Sequence, residues 1–142
     1  MRLYRVGLFT DVYFPNPNGV TTSVYLLLRE LRRMGHEAWV IAPAHPEAPE
    51  NEEGVARVPS VAYPFYEGQQ IALPSARHLP TEFELVHTHT PLTLGVWGLR
   101  IARNKNLPHV STFHTHYEKY AHYVPGLAFL DKYTGTVPRL AK

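Results

Sequence analysis

Apolar positions along the first part of the chain predict strands separated by one helix. Residues 5–10 form an apolar run that barely alternates, which is typical of a strand buried on both faces. Between residues 20 and 34, apolar side chains recur at helical spacing with arginines mostly on the opposite face. We therefore predict an amphipathic helix there that is stopped by Gly35. Residues 37–42 and 55–58 predict the second and third strands.

The same alternation returns after residue 84. We predict a fourth strand over residues 85–88, a helix from about 92 to 104 and a fifth strand over residues 108–113. Helical patterns follow over residues 117–123 and 127–133. Strands that alternate with helices indicate an α/β protein with a Rossmann-like, doubly wound parallel sheet.

Residues 60–80 show no regular period, and we assign no element to them. They hold Tyr63, Phe65 and Tyr66 among prolines and a glycine. These rings would form either an apolar lip for a lipid acceptor or a satellite cluster beneath a long loop, and we favour the second interpretation.

Composition narrows the class of protein. A chain of 142 residues is one domain by its length. The absence of Cys excludes disulfides and thiolate metal sites, and a net charge of +2 is too small to indicate a nucleic-acid partner. The N-terminus lacks the apolar run of a signal peptide, and no stretch approaches the roughly 18 apolar residues that cross a bilayer. We therefore expect a cytoplasmic protein, which leaves contact with a membrane surface open.

Polar residues follow the first strand, and the carboxyl ends of parallel strands together line a ligand crevice. Gly19 begins the first predicted helix, where backbone N–H groups and the helix dipole favour a phosphate. Taken alone, Gly19 more simply permits a turn with positive φ, with a threonine capping the helix. Asp11 either orients a hydroxyl group or bonds its own backbone in an Asx turn, and the residues favour neither.

Four histidines cluster at two strand ends: His87, His89, His114 and His116. An imidazole in the crevice can bond a sugar hydroxyl or act as an acid or base, whereas a single histidine is more often structural. The cluster raises the possibility of zinc, but nearby carboxylates are few and no familiar ligand set is complete. We therefore expect no metal.

Three motifs carry a resemblance to the GT-B retaining glycosyltransferases of family 4. The subgroup that they resemble most is that of the diacylglycerol glucosyltransferases and related mannosyltransferases. The motifs are Phe9-Thr10-Asp11-x-Tyr13-Phe14-Pro15 with Asn18-Gly19-Val20-Thr21-x-Ser23, Val86-His87-Thr88-His89, and Phe113-His114-Thr115-His116-Tyr117-Glu118-x-Tyr120.

The resemblance implies an enzyme that moves a hexose from a nucleotide-sugar to a sugar or lipid acceptor without a cofactor or catalytic metal. On matching positions, it implies that Gly19 binds the donor diphosphate and that His114 is catalytic and contacts the transferred sugar. The acceptor side of the cleft would contain Asp11, Tyr13, Thr88 and His116.

Enzymes of this family have a second, nucleotide-sugar domain with a Glu-x7-Glu motif, which residues 1–142 lack. We therefore expect residues 1–142 to be the N-terminal, acceptor-side domain of a GT-B fold, inactive alone, with an open sheet edge that favours self-association. Two other functions remain open at this stage: a non-catalytic flavodoxin-like binding module and, less well supported, a metal-dependent hydrolase built on the histidines.

Overall fold

The computed structural model describes residues 1–114, which form one parallel sheet, two helices and a small hairpin. In chain order the elements are β1 (Arg5–Phe9), α1 (Gly19–Arg33), β2 (Glu37–Pro43), β3 (Val55–Val58), β4 (Ser60–Ala62), β5 (Gln70–Ala72), a 3₁₀ turn (Ala76–His78), β6 (Leu85–Thr88), α2 (Thr93–Asn104) and β7 (His109–Ser111).

The central sheet has the order β3-β2-β1-β6-β7, and every neighbouring pair is parallel. In this register Phe9 lies opposite Ile41 of β2 and Thr88 of β6. The predicted Rossmann-like parallel sheet is thereby confirmed. After β1 the chain builds outward through β2 and β3, and it then crosses back to place β6 on the other side of β1. The carboxyl ends of β1 and β6 therefore flank the point where the winding reverses, which is where open α/β sheets bind ligands.

Within residues 1–114, one helix packs on each face of the sheet, and the side chains of β1 alternate between the two faces. Val6 and Leu8 belong to a buried cluster that includes Leu28 of α1. Phe9 faces the other side, where its ring meets Trp97 of α2 edge-on at a centroid distance of 5.7 Å. The strand is therefore buried on both faces, as its apolar run predicts.

The predicted end of the first helix is confirmed. Gly35 has a φ of +93°, a left-handed conformation that costs glycine little. Its N–H donates to the carbonyl of Arg32, and the N–H of His36 donates to that of Leu31. These two bonds form a Schellman motif and satisfy carbonyls that the helix leaves free.

The fifth strand is shorter than the sequence predicts. Strand β7 ends at Ser111. The N–H of Thr112 donates a hydrogen bond to the carbonyl of Thr88, which is the last residue of β6. Because β6 stops there, Phe113 and His114 have no β6 residues beside them to extend the ladder. Phe113 is 42% exposed, and His114 lies three residues beyond the strand instead of at its end.

Residues 60–80, which we left unassigned, contain the antiparallel pair β4 and β5. The loop between these strands carries Phe65 and Tyr66, which are 70% and 71% exposed. Tyr63 contacts the Phe65 ring at 5.6 Å. The favoured interpretation of a packed satellite cluster is therefore wrong for Phe65 and Tyr66. The helices predicted over residues 117–123 and 127–133 lie outside the described residues.

Candidate active site at the carboxyl edge of the sheet

Two loops are joined where β1 and β6 end. The N–H of Asp11 donates to the hydroxyl oxygen of Thr90 at 2.9 Å, and that hydroxyl donates to Asp11 Oδ2 at 2.6 Å. One residue earlier, the N–H of His89 donates to the carbonyl of Phe9 at 2.9 Å. Asp11, His89 and Thr90 are each 3% exposed. This buried network fixes the floor of the crevice between the two central strands.

The Asp11 carboxylate caps α2. Leu92 precedes this helix and offers no capping side chain. Asp11 supplies the acceptor instead: Oδ1 accepts the N–H of Leu94 at 2.9 Å, and Oδ2 lies 3.4 Å from the N–H of Gly95. Both groups belong to the first turn, whose free N–H groups and dipole favour an anion. The carboxylate therefore bonds across the fold, and the Asx turn considered from the sequence is not the arrangement found.

Burial dominates the electrostatics of this carboxylate. It raises the pKa of Asp11 from 3.8 to about 6, although the bonds from Leu94, Thr90 and Gly95 act in the opposite direction. Loss of hydration penalises the ionised form more than the three donors stabilise it.

Asp11 and Tyr13 line one shallow cleft that is open to solvent. The structure thus brings together two of the residues predicted for the acceptor side. Tyr13 itself is only 5% exposed, and its pKa is raised to about 12, first by burial and then by the charge of Glu52. Asn16, His45, Arg57 and Gln70 also line this cleft.

Arg57 holds the cleft wall and was not singled out from the sequence. It pairs with Glu52, and its guanidinium donates to the carbonyls of Phe14 and Pro43 at 2.8 and 3.0 Å. The group lies 5.6 Å from the centre of the Tyr13 ring. A charge inside the apolar stretch 55–58 was the available signal, because a charge in a buried strand needs partners.

Gly19 begins α1 at the same edge of the sheet. The cap is Asn18, whose side chain accepts the N–H of Thr21 at 2.9 Å, so the threonine cap considered from the sequence is wrong. The first intrahelical bond runs from the N–H of Thr22 to the carbonyl of Asn18. The N–H groups of Gly19 and Val20 therefore have no acceptor within the helix.

Neither backbone conformation nor packing requires a glycine at position 19. Gly19 is exposed and is not among the glycines with positive φ, and a Cβ built on it would have no atom within 4 Å. The turn with positive φ considered from the sequence is therefore wrong as well.

Three of the clustered histidines form a row, which we call the histidine row: His87, His89 and His114. The rings of His87 and His89 stack at 4.1 Å, and His89 Nδ1 lies 3.1 Å from His114 Nε2. At its far end, His87 Nε2 bonds the Thr112 hydroxyl at 2.7 Å. His116 lies outside the described residues.

The histidine row is neutral at pH 7. Burial lowers the pKa of His87 to about 4 and that of His89 to about 3, with smaller contributions from neighbouring histidines. Burial also lowers the pKa of His114. Each ring therefore has one donor and one acceptor nitrogen.

Thr88 points to the opposite face of the sheet from His87 and His89. Its hydroxyl bonds His109 Nε2 at 2.9 Å and donates to Ser111 Oγ at 3.2 Å, and the side chain is fully buried. The structure does not bring Thr88 to the cleft that Asp11 and Tyr13 line. Its predicted acceptor-side role remains a prediction.

This edge of the sheet can therefore offer an anion two helix N–H groups for which residues 1–114 supply no backbone acceptor, and it can offer a polar ligand a neutral imidazole. Within residues 1–114, no group of three or more histidine or acidic side chains is arranged to hold a metal ion. Thr90, which ties Asp11 to the start of α2, was missed by sequence reasoning; its position immediately before Pro91 at a strand–helix junction was the available signal.

Comparison with known proteins identifies the family. Residues 17–139 match the model of Glycosyltransferase Family 4. This chain belongs to Glycosyltransferase Family 4. The resemblance drawn from the three sequence motifs is thereby confirmed, and the comparisons give no support to a flavodoxin-like binding module or a metal-dependent hydrolase.

Several relatives of this family 4 chain are named enzymes. It is 35% identical over 126 residues to an alpha-monoglucosyldiacylglycerol synthase of Streptococcus pneumoniae, covering 84% of this chain and 29% of the relative. An enzyme of the same name from Acholeplasma laidlawii is 35% identical over 87% of this chain and 33% of its own length. A GDP-mannose-dependent alpha-mannosyltransferase of Mycolicibacterium smegmatis is 36% identical over 78% of this chain and 32% of its length.

The family 4 chain thus spans about a third of these relatives. In the part that the structure describes, neither helix has the length and apolar character that a bilayer crossing requires.

Proposed function

We propose that this chain is the acceptor-side, N-terminal domain of a retaining glycosyltransferase that moves a hexose from a nucleotide-sugar to a lipid acceptor. The observation that carries the proposal is Gly19, a helix-start glycine without a structural reason to be glycine. Family membership supports the reaction class, and the names of the glucosyldiacylglycerol synthases support a lipid acceptor.

The donor diphosphate would lie against the start of α1. The N–H groups of Gly19 and Val20 are available there, and the positive end of the helix dipole points to the same place. A side chain at position 19 would extend into the open space that the phosphate oxygens need. The missing Cβ is thus explained by close approach of a ligand to the backbone.

His114 would bond the transferred sugar. Its half-buried ring lies just beyond β7 at the edge where β1 and β6 also end, and the burial-lowered pKa keeps it neutral. A neutral imidazole can bond a sugar hydroxyl and contribute to stabilisation of the transition state without binding a second proton. Asp11, by contrast, would hold the acceptor side of the cleft in shape and would not bind the acceptor itself. Its carboxylate already accepts hydrogen bonds from the Thr90 hydroxyl and the Leu94 N–H of α2.

Retention of configuration is the stereochemical part of the proposal, and the names of the relatives support it. The relatives are named for alpha products, which is the outcome of retention when a donor carries its diphosphate in the α configuration. The acceptor hydroxyl would attack the anomeric carbon from the face that the diphosphate leaves, and a leaving diphosphate oxygen would take up the hydroxyl proton. The N–H groups at Gly19 would then stabilise the negative charge that develops on the diphosphate.

The remaining parts of the proposal concern partners. A nucleotide-sugar domain elsewhere in the polypeptide would complete the donor site, so residues 1–142 alone would not catalyse transfer. Their open sheet edge would favour self-association. The exposed Phe65 and Tyr66 would contact the membrane that holds the acceptor. Co-sedimentation with anionic vesicles should decrease in the Phe65→Ser, Tyr66→Ser variant, and undiminished binding would exclude this contact surface.

The function is tested by initial rates in the full-length enzyme with saturating donor. Gly19→Val should lower turnover roughly 10²-fold or more, because the added side chain keeps the diphosphate away from the backbone N–H groups that would stabilise its developing charge. Its free energy of unfolding should change by less than about 1 kcal/mol, because the position is exposed and unpacked. Leu26→Val introduces the same residue at another exposed position of α1 and should leave the rate unchanged. Normal turnover of Gly19→Val would remove the donor site from this helix.

His114→Ala completes the same experiment. Turnover should fall roughly 10²-fold or more while acceptor affinity changes little, because the imidazole acts mainly on the transition state. We expect a milder effect from His116→Ala. Equal and small effects of the two variants would make His114 a structural histidine.

A further inference from the structure

His89 and His114 are joined edge to edge. Their centroids are 5.4 Å apart, their planes differ by 25°, and His89 Nδ1 lies 3.1 Å from His114 Nε2. This is the geometry of two nearly coplanar imidazoles that share one proton along the line between their nitrogens.

The surroundings of His89 prevent its ring from turning away. Its backbone N–H donates to the carbonyl of Phe9 and anchors the main chain, and the buried ring is stacked on His87 at 4.1 Å. His87 is in turn bonded to Thr112. The His89 ring is therefore a fixed element of the crevice floor, whereas His114 lies on a loop beyond β7.

The other ring nitrogen of His89, Nε2, has no hydrogen-bond partner within residues 1–114. His89 is 3% exposed, and its Nε2 makes no hydrogen bond in the part of the chain that the structure describes. The proposed transfer reaction assigns no task to this histidine, yet a buried polar atom without a partner is uncommon in folded proteins.

The shared hydrogen bond couples the tautomers of the two rings. If its proton belongs to His114 Nε2, His89 must carry its own proton on Nε2, where a buried N–H would have no acceptor. If the proton belongs to His89 Nδ1, the atom without a partner is an unprotonated nitrogen, and His114 carries its proton on Nδ1. The second arrangement avoids an orphaned buried N–H, which is the rarer defect in native structures.

We infer that His89 is a positioning residue that donates through Nδ1 to His114 Nε2 and so makes His114 Nδ1–H the atom presented to the ligand. This inference rests on the proposed role of His114 in transfer. It assigns His114 the part of a hydrogen-bond donor to a sugar or diphosphate oxygen, in place of a base that removes a proton.

The tautomer can be observed directly by nuclear magnetic resonance of the ¹⁵N-histidine-labelled protein at pH 7. The ring nitrogens of His114, assigned through their loss in His114→Ala, should show a protonated Nδ1 and an unprotonated Nε2. An Nε2-protonated His114 in the unmodified protein would overturn the inference without any variant of His89.

Two substitutions separate positioning from packing. His89→Leu removes the donor and should shift His114 toward the Nε2-protonated form, with a fall in turnover of roughly 10-fold, the loss expected for one well-placed hydrogen bond. His89→Asn places an amide N–H near the position of Nδ1. It should restore most of the Nδ1-protonated form of His114 and most of the turnover. His109→Gln, on the opposite face of the sheet, is the control and should change neither. A His114 tautomer that His89→Leu leaves unchanged would overturn the inference.

Failure of the proposed function and failure of this inference give different results in these experiments. If His114→Ala retains normal turnover, the catalytic role of His114 is lost, whereas the resonance result still decides whether His89 sets its tautomer.

Discussion

The Asp11 carboxylate should make the protein less stable as pH rises from about 4 to about 6. Its folded-state pKa of about 6 lies above the ordinary value of 3.8, so the folded protein binds more protons than the unfolded chain in this window. Stability from this group is fully present below the lower value and is lost as pH passes the higher one. The opposite sign holds for carboxylates in ordinary salt bridges.

The size of the effect follows from the two pKa values. The difference between 3.8 and about 6, at about 1.4 kcal/mol per pKa unit, corresponds to roughly 3 kcal/mol. No discount for solvent screening is needed, because Asp11 is 3% exposed. Asp11→Asn has the same shape and cannot ionise. The stability of the unmodified protein relative to this variant should therefore fall by roughly 2 kcal/mol between pH 4 and pH 7, because part of the full difference is already lost below pH 4.

Urea unfolding followed by the fluorescence of Trp39 and Trp97 measures this difference at each pH. A second variant isolates the helix cap, because Asp11→Ala and Asp11→Asn both lack the charge. Asp11→Ala should be about 1–2 kcal/mol less stable than Asp11→Asn at any pH, since alanine leaves the Leu94 N–H without its acceptor. Stability of the unmodified protein that rises with pH relative to Asp11→Asn would refute the reasoning, since the three hydrogen bonds would then outweigh desolvation.

Two further substitutions test how this region is held together. Gly95→Ala should destabilise the protein by about 3 kcal/mol or more, because a Cβ there would lie 1.6 Å from the Thr90 carbonyl oxygen. A denaturation midpoint unchanged from that of the unmodified protein would contradict this close approach. Arg57→Lys should cost about 1–2 kcal/mol in urea unfolding, since an ammonium group cannot span the two main-chain carbonyls and Glu52 at once; full retention of stability would show that the guanidinium fork is dispensable.

Local sequence patterns predicted most of the fold because they depend on near neighbours. Strand β1 and helix α1 were found within a residue of their ends, since a buried strand and an amphipathic helix each leave a period in the chain. The limits of β7 were missed because a strand ends where its neighbour ends, and β6 stops at Thr88. The β4–β5 hairpin was missed because its three-residue strands are too short to show a period.

The family could also be identified from the sequence, because its motifs are contiguous runs of residues. The arrangement of the candidate site could not. Asp11 caps a helix that begins 82 residues later, and His89 meets His114 across 25 residues. The hydrogen bonds at these positions depend on which strand ends are adjacent, and no local pattern encodes that.

The sequence by itself thus determined most of the elements, the α/β class and the family, because each leaves a period or a motif within short segments. Only the tertiary structure decided what the polar residues at the sheet edge do. In the fold, Asp11 caps α2 and Thr88 faces away from the histidine row. Gly19 borders open space, and His89 is hydrogen-bonded to His114. The physical reason is that a side chain's role at this edge is set by burial and by its nearest partner, and folding brings that partner from a distant part of the chain.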